Sequence, residues 1–235
     1  MLPIAILAGG FATRLGNLTA EVPKCLIEIN GRPFVDWQLD LLMRHGYSDF
    51  IFCVSYKSDL VQDYLGDGRD RGVRIQYSFD GDTQLGTGGA IQKALPKLGG
   101  EFGVIYGDSY LPTNYSAVEQ FFLDSRAQAL MTVYENRNQF DSSNVEFIDG
   151  ELINYEKGSK SRKMYHIDYG ITYFCEATFR PWQNVSSFDL SEVCNRLATR
   201  GELLGLEVFE RFYEIGSLRG IEEFSQYLKE TSNEL

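Results

Sequence analysis

The sequence predicts an α/β fold, Rossmann-like, in which a mostly parallel mixed sheet carries helices on both faces and continues into a smaller antiparallel part. Three observations carry this reading. Strand-like and helix-like stretches alternate through about residue 127. Beyond it, strand candidates follow one another with only short connections. And 43% of the 235 residues are apolar, enough to bury a sizeable core.

Taken in order, residues 3–8 are a short apolar run that ends in Gly9-Gly10, a strand entering a loop. Residues 34–45 place Phe34, Trp37, Leu41 and Leu42 at helical spacing and stop at Gly46, a natural helix end. Residues 49–55 are β-rich, 57–65 read as helix and 73–79 return to strand. Residues 89–98 are helical up to their proline, and 102–106 are another apolar strand. Strands separated by helices of this length belong to a parallel, doubly wound sheet. In the second half, 129–134, 144–148, 151–155 and 165–174 are strand candidates, with Asp149-Gly150 as a hairpin turn. Residues 188–200 form an amphipathic helix ending at Gly201, and 218–228 a last one. No repeat, low-complexity segment or linker interrupts the chain. A single domain over residues 1–235 is expected, its halves meeting near residue 127.

Composition excludes several classes. The formal charge is −11, and such a surface repels a polyphosphate backbone, so nucleic acid is not an expected partner. No apolar run approaches the roughly 20 residues of a membrane helix, and no membrane partner is expected. The start, Met1 to Leu7, has no basic segment and reads as a strand rather than a secretion signal. Cys25, Cys53, Cys175 and Cys194 are scattered without a C-x-x-C pair, which suits buried thiols in a reducing cytoplasm. An acidic protein that binds a small anion must gather a few cations in one cleft, so individual Arg and Lys positions become informative.

The most telling stretch is Leu7-Ala8-Gly9-Gly10-Phe11-Ala12-Thr13-Arg14-Leu15, followed by Pro23-Lys24. A glycine pair at the carboxyl end of a first strand lets the backbone approach a ligand and turn N–H groups towards negative oxygens. Arg14 offers a planar fork for phosphate and Lys24 a compact charge. Neither a G-x-x-x-x-G-K-[ST] loop nor a G-x-G-x-x-G turn after the first strand is present. Gln84-Leu85-Gly86-Thr87-Gly88-Gly89-Ala90-Ile91 opens a helix with bare backbone against which a flat ring could lie. Val104-Ile105-Tyr106-Gly107-Asp108 is an apolar strand ending in a carboxylate, at the end of an open sheet where ligands bind. Alone, each of these also fits an ordinary turn or cap.

Together they resemble the signature of the sugar-1-phosphate nucleotidyltransferase family, a strand followed by L-A-G-G-x-G-T-R-L and, ten residues past the arginine, P-K. Ala12 stands where that family has glycine. The resemblance implies that Leu7, Ala8, Gly9 and Gly10 pack against the nucleotide. It implies that Gln84, Gly86 and Thr87 contact base and ribose. By the same resemblance Arg14 takes the β- and γ-phosphates, Lys24 stabilises charge at the α-phosphate and Asp108 holds Mg²⁺. Glu214-Ile215-Gly216-Ser217 resembles the family's D-I-G-T, making Glu214 the second metal ligand. Glu156-Lys157 resembles E-K-P, with Gly158 for proline, and Asp168-Tyr169-Gly170 resembles N-A-G. Glu156, Lys157, Asp168 and Gly170 are thereby implied for the sugar phosphate.

Val54-Ser55-Tyr56-Lys57 and the 85–91 stretch look most like the heptose-1-phosphate guanylyltransferase group. The expected reaction joins GTP to a heptose- or mannose-type 1-phosphate, with UTP, dTTP and CTP as alternatives. A nucleotide-sugar-dependent glycosyltransferase, which usually carries D-x-D, and a non-catalytic sugar-nucleotide sensor are the rivals from other classes. Symmetry statistics make a homodimer the default assembly.

Overall fold

The computed structural model describes residues 1–10, 22–55, 57–81, 83–158 and 163–232. Ala12, Thr13 and Arg14 of the first loop lie outside the described residues. The first half runs β1 (Ile4–Leu7), β2 (Glu28–Ile29), β3 (Arg32–Pro33), α1 (Phe34–Arg44), β4 (Asp49–Val54), α2 (Ser58–Leu65), β5 (Arg74–Phe79), α3 (Gly86–Leu98) and β6 (Glu101–Tyr106). Then follow β7 (Ser109–Tyr110), α4 (Tyr115–Ser125), β8 (Ala129–Glu135), β9 (Val145–Ile148), β10 (Glu151–Tyr155) and β11 (His166–Cys175). The chain ends with α5 (Leu190–Thr199), β12 (Leu203–Val208), β13 (Tyr213–Glu214) and α6 (Leu218–Ser232).

Among the described residues, nine strands form one sheet that spans both halves. Its parallel block is β6-β1-β4-β5. The chain leaves β1 towards β4 and β5, then returns through α3 to β6 on the other side of β1. β11 pairs antiparallel with β6 and with β8, and β12 adds parallel to β8. Only residues 171–175 of β11 pair with β6. The first half of β11 therefore runs on past the carboxyl end of β6, where it meets β8 and, at His166, β9.

Side chains that alternate along each strand feed two cores, one on each face. Ile4, Ile6, Phe50, Phe52 and Ile105 point to the face covered by α1, α2, α4 and α6. Ala5, Cys53, Phe102 and Val104 point to the face covered by α3 and α5. The second face is built from smaller residues near α3, where Ala5 and Cys53 share a cluster with Ala90 and Ala94. That lets α3 lie close over the sheet. Each fully buried Phe or Ile contributes about 1.5–3 kcal/mol, so large and small faces cannot exchange without cavities on one side and overlap on the other.

The Asp149-Gly150 hairpin forms as expected, with both residues at positive φ (53° and 85°), the backbone of a type I′ turn between β9 and β10. Helix α3 starts at Gly86, three residues before its expected start. The reason is tertiary: the Phe188 carbonyl accepts from the N–H groups of Gly88 and Gly89 and caps the extra turn. Besides the two-residue strands β2, β3, β7 and β13, two longer elements lie beyond the expected set. Helix α4 carries a readable signal, an Asn114 side chain accepting from the Ala117 N–H. Strand β12 does not, because its sheet partner among the described residues is β8, some seventy residues earlier. No helix of the described residues is long and apolar enough to cross a membrane.

Candidate functional site

The strand order reverses direction between β1 and β6, and in an open α/β sheet the crevice at such a switch point is where ligands bind. A cleft of about 210 Å³ opens there. Leu7, Ala8, Gly9 and Gly10 line it from the end of β1, and Gly107 and Asp108 from the end of β6. Lys24, Gln84, Gly86 and Thr87, also expected on the nucleotide side, line it too. Ser55, Asp80 and Tyr106 line it as well, although their motifs carry no phosphate or metal signature.

Local contacts fix this geometry. The Ala8 N–H donates to the Cys53 carbonyl at 2.9 Å, and Ser55 Oγ donates to the Gly9 carbonyl at 2.7 Å, so the end of β4 holds the start of the loop. Gly107 N–H donates to the Leu7 carbonyl at 3.0 Å; a Cβ on Gly107 would lie 3.0 Å from that oxygen and 3.2 Å from Ala8 Cα. A side chain there would push the two strand ends apart by a few tenths of an ångström. Lys24 starts a 3-10 turn closed by Ile27 N–H on its carbonyl at 3.0 Å, and buried Cys25 anchors that turn. Its Nζ reaches Asp108 Oδ2 at 3.0 Å. The two side chains are 22% and 29% exposed, so the pair is shielded but open to the cleft.

Gln38, a buried residue of α1 that sequence reasoning missed, holds the turn that carries Asp108. Its Nε2 donates to the Tyr106 carbonyl at 2.8 Å and the Ser109 carbonyl at 2.7 Å. Nothing in the sequence marks a glutamine in an apolar helix face as functional. Gln38→Leu should remove the donor from both carbonyls and cost about 2 kcal/mol, read as a lower midpoint in urea unfolding.

Glu214 does not line this cleft. It lies beside Asp141, Arg211 and Gly216 in a neighbouring pocket. The two pockets share a backbone wall: Glu214 pairs with Ser109, and Ile215 N–H donates to the Asp108 carbonyl at 3.0 Å. A Cβ on Gly216 would sit 3.8 Å from Lys24 Nζ and 3.9 Å from Asp108 Oδ2. Glu214 keeps an exposed edge, yet desolvation first, and then the charges of Asp108 and Asp141, push its pKa up to about 7.

Glu156, Lys157, Asp168 and Gly170 also lie outside the lining of the cleft. They sit on the end of β10 and the overhanging half of β11. Gly170, at φ 113°, forms an irregularity in β11 and packs near Leu111 and Ser109, next to the Asp108 turn. Asp168 accepts from Gly170 N–H at 3.0 Å. Desolvation raises its pKa to about 6, against this hydrogen bond and the nearby Lys157 charge, which lower it. Lys157 Nζ pairs with Asp189 Oδ2 at 3.0 Å. Thr87 turns its hydroxyl to the Leu190 N–H at 2.8 Å, so its polar group serves α5.

Asp168 has a pH signature. Its folded pKa of about 6 lies above the ordinary 3.8, so the folded chain holds this proton more tightly than the unfolded one. Its contribution to stability is therefore fully present below about 3.8 and fades as pH rises to about 6. The thermal midpoint of the wild type minus that of Asp168→Asn should fall across this interval. A flat difference would remove the assignment.

The chain matches the nucleotidyl transferase family over residues 4–227. A D-glycero-alpha-D-manno-heptose 1-phosphate guanylyltransferase of Campylobacter jejuni is 34% identical over 114 residues, which cover 48% of this chain and 51% of the relative. An N-acetylmuramate alpha-1-phosphate uridylyltransferase of Neisseria meningitidis serogroup B is 36% identical over 116 residues, covering 49% and 50%. The chain spans about half the length of the curated relatives it matches. Among solved structures, HddC from Yersinia pseudotuberculosis superposes with a TM-score of 0.81 at 22% identity, covering 97% of this chain and 100% of that one. That likeness is one of fold.

Proposed function

Because the chain belongs to the nucleotidyl transferase family, we propose that it joins a nucleoside triphosphate to a sugar 1-phosphate and releases pyrophosphate, with GTP and a heptose- or mannose-type 1-phosphate as the substrate pair. The observation that carries this reading is the Lys24–Asp108 pair at the switch-point cleft. It sets a cation and a carboxylate side by side where glycine backbone leaves room for a triphosphate. The guanine and heptose assignment draws on the likeness to the Campylobacter jejuni relative. The uridylyltransferase relative keeps UTP as the alternative.

In the proposed reaction an oxygen of the sugar phosphate attacks the α-phosphorus in line, a new P–O bond forms, and the bond to the β-phosphate oxygen breaks. The nucleophile is already an anion, so neither His45 nor His166 is needed as a base. Catalysis is then positioning and charge neutralisation. Lys24 faces the α-phosphate, and the Gly9-Gly10 backbone packs against the nucleotide. Lys157 grips the sugar phosphate while Glu156 and Asp168 accept from sugar hydroxyls. Arg14 is assigned to the outer phosphates by its motif.

Asp108 and Glu214 suit Mg²⁺: desolvation, and after it the charge of Asp108 in the adjoining turn, raises the pKa of Glu214 to about 7, and a divalent cation offsets both. Bound there, Mg²⁺ would supply neutralisation of the phosphate charge. The test is a matrix of ATP, GTP, CTP, UTP and dTTP against several sugar 1-phosphates, read by pyrophosphate release. One pair should turn over well above the rest. No pyrophosphate from any pair, but release of a nucleoside diphosphate from a nucleotide sugar supplied with an acceptor, would make the protein a glycosyltransferase, and binding without turnover would make it a sensor.

A further inference from the structure

One short segment, residues 187–190 at the start of α5, touches both groups of proposed substrate residues. On the nucleotide side, Ser187 Oγ donates to the Gln84 carbonyl at 3.3 Å and Phe188 N–H to the Leu85 carbonyl at 3.0 Å. The Phe188 carbonyl accepts from Gly88 and Gly89 N–H at 3.0 and 3.2 Å. On the sugar side, Asp189 Oδ2 accepts from Lys157 Nζ at 3.0 Å. One turn further, Asn195 Nδ2 donates to the Tyr155 carbonyl at 2.8 Å, two residues before Lys157. Asp189 is itself held firmly. Its Oδ1 accepts from Ser191 N–H at 2.9 Å, and its own N–H donates to Glu192 Oε1 at 2.9 Å, a capping box at the helix start.

We propose that Asp189 is a positioning residue that holds the Lys157 ammonium ready for the sugar phosphate and, through residues 187–190, ties that placement to the 84–89 loop. This deepens the function proposed above and rests on it, since it takes Lys157 as the sugar-phosphate cation. Lys157 is 57% exposed, and a four-carbon stem in water samples many rotamers that binding must freeze. One of its three N–H donors goes to Asp189, leaving two for phosphate oxygens. The Asp189 charge does not cancel this gain. Both its oxygens are engaged, and the positive end of the α5 dipole offsets it further.

The experiment uses whichever triphosphate and sugar 1-phosphate pair turns over fastest in the matrix. Asn and Asp cap helices equally well, so Asp189→Asn keeps the helix start and loses the charge contact. It should raise KM for the sugar 1-phosphate about tenfold, the range of one charged hydrogen bond. KM for the triphosphate, kcat and the thermal midpoint should stay near wild type. Asp189→Ser, a second good cap, should give the same split should Asn disturb the fold. In a Lys157→Ala background Asp189→Asn should add nothing. An unchanged sugar-phosphate KM in Asp189→Asn, or the same rise in both backgrounds, overturns the proposal. An unchanged KM in Lys157→Ala alone overturns instead the role of Lys157, and no pyrophosphate from any pair overturns the function itself.

Discussion

Lys24→Ala is expected to lower kcat by at least about a hundredfold while the protein stays folded. Lys24 is the one cation among the described residues that lines the cleft. It acts on a protein of net charge −11, whose average field opposes a triphosphate. At about 4 Å and an effective dielectric near 20, a unit charge pair is worth roughly 4 kcal/mol. Loss of a comparable preorganised donor costs about 2.7–4 kcal/mol at the transition state, or a factor of about 10²–10³. The same residue contributes little to folding. A partly exposed ion pair is worth about 1 kcal/mol or less, so circular dichroism and the thermal midpoint should barely change. Lys24→Arg should recover only part of the rate, because a planar fork does not reproduce a compact ammonium. A rate within tenfold of wild type in Lys24→Ala would sink the assignment.

Asp108→Asn is expected to produce a loss of similar size, again at least about a hundredfold in kcat. Asparagine fills the same volume and leaves Gln38 gripping the turn on both sides, so a loss reports the charge rather than a collapsed turn. A second readout separates a metal role from a mere partner of Lys24. If Asp108 and Glu214 hold Mg²⁺, Asp108→Asn should also raise the Mg²⁺ concentration needed for half-maximal rate. If Asp108 only orients Lys24, the rate should fall with that concentration unchanged.

Much of the site was legible because its parts are short and local. Glycines after β1, a carboxylate after β6 and a Pro-Lys pair mark backbone that must approach a charged ligand, and these residues meet in one cleft. What the chain order concealed was how the ends are held. Gly86, Gly88 and Gly89 read as a surface for a ring, yet a Cβ on Gly88 would lie 2.3 Å from the Phe188 ring and one on Gly86 would lie 2.4 Å from the Phe188 carbonyl oxygen. These glycines make room for a protein segment a hundred residues away. Gln38 and Asp189 escaped for a similar reason. Each acts on a partner distant in sequence, and neither belongs to a motif.

The sequence by itself determined the alternation of strands and helices, the hairpin at Asp149-Gly150, and the residue types that can meet a triphosphate, because dihedral preference, side-chain period and charge are local properties. Only the tertiary structure decided that β1 and β6 are neighbours with Gly107 wedged between their ends, that Glu214 stands in an adjoining pocket, and that one helix start touches both the 84–89 loop and Lys157. Those facts depend on which surfaces can pack without voids and which backbone groups find partners, and both are settled between residues far apart in the chain.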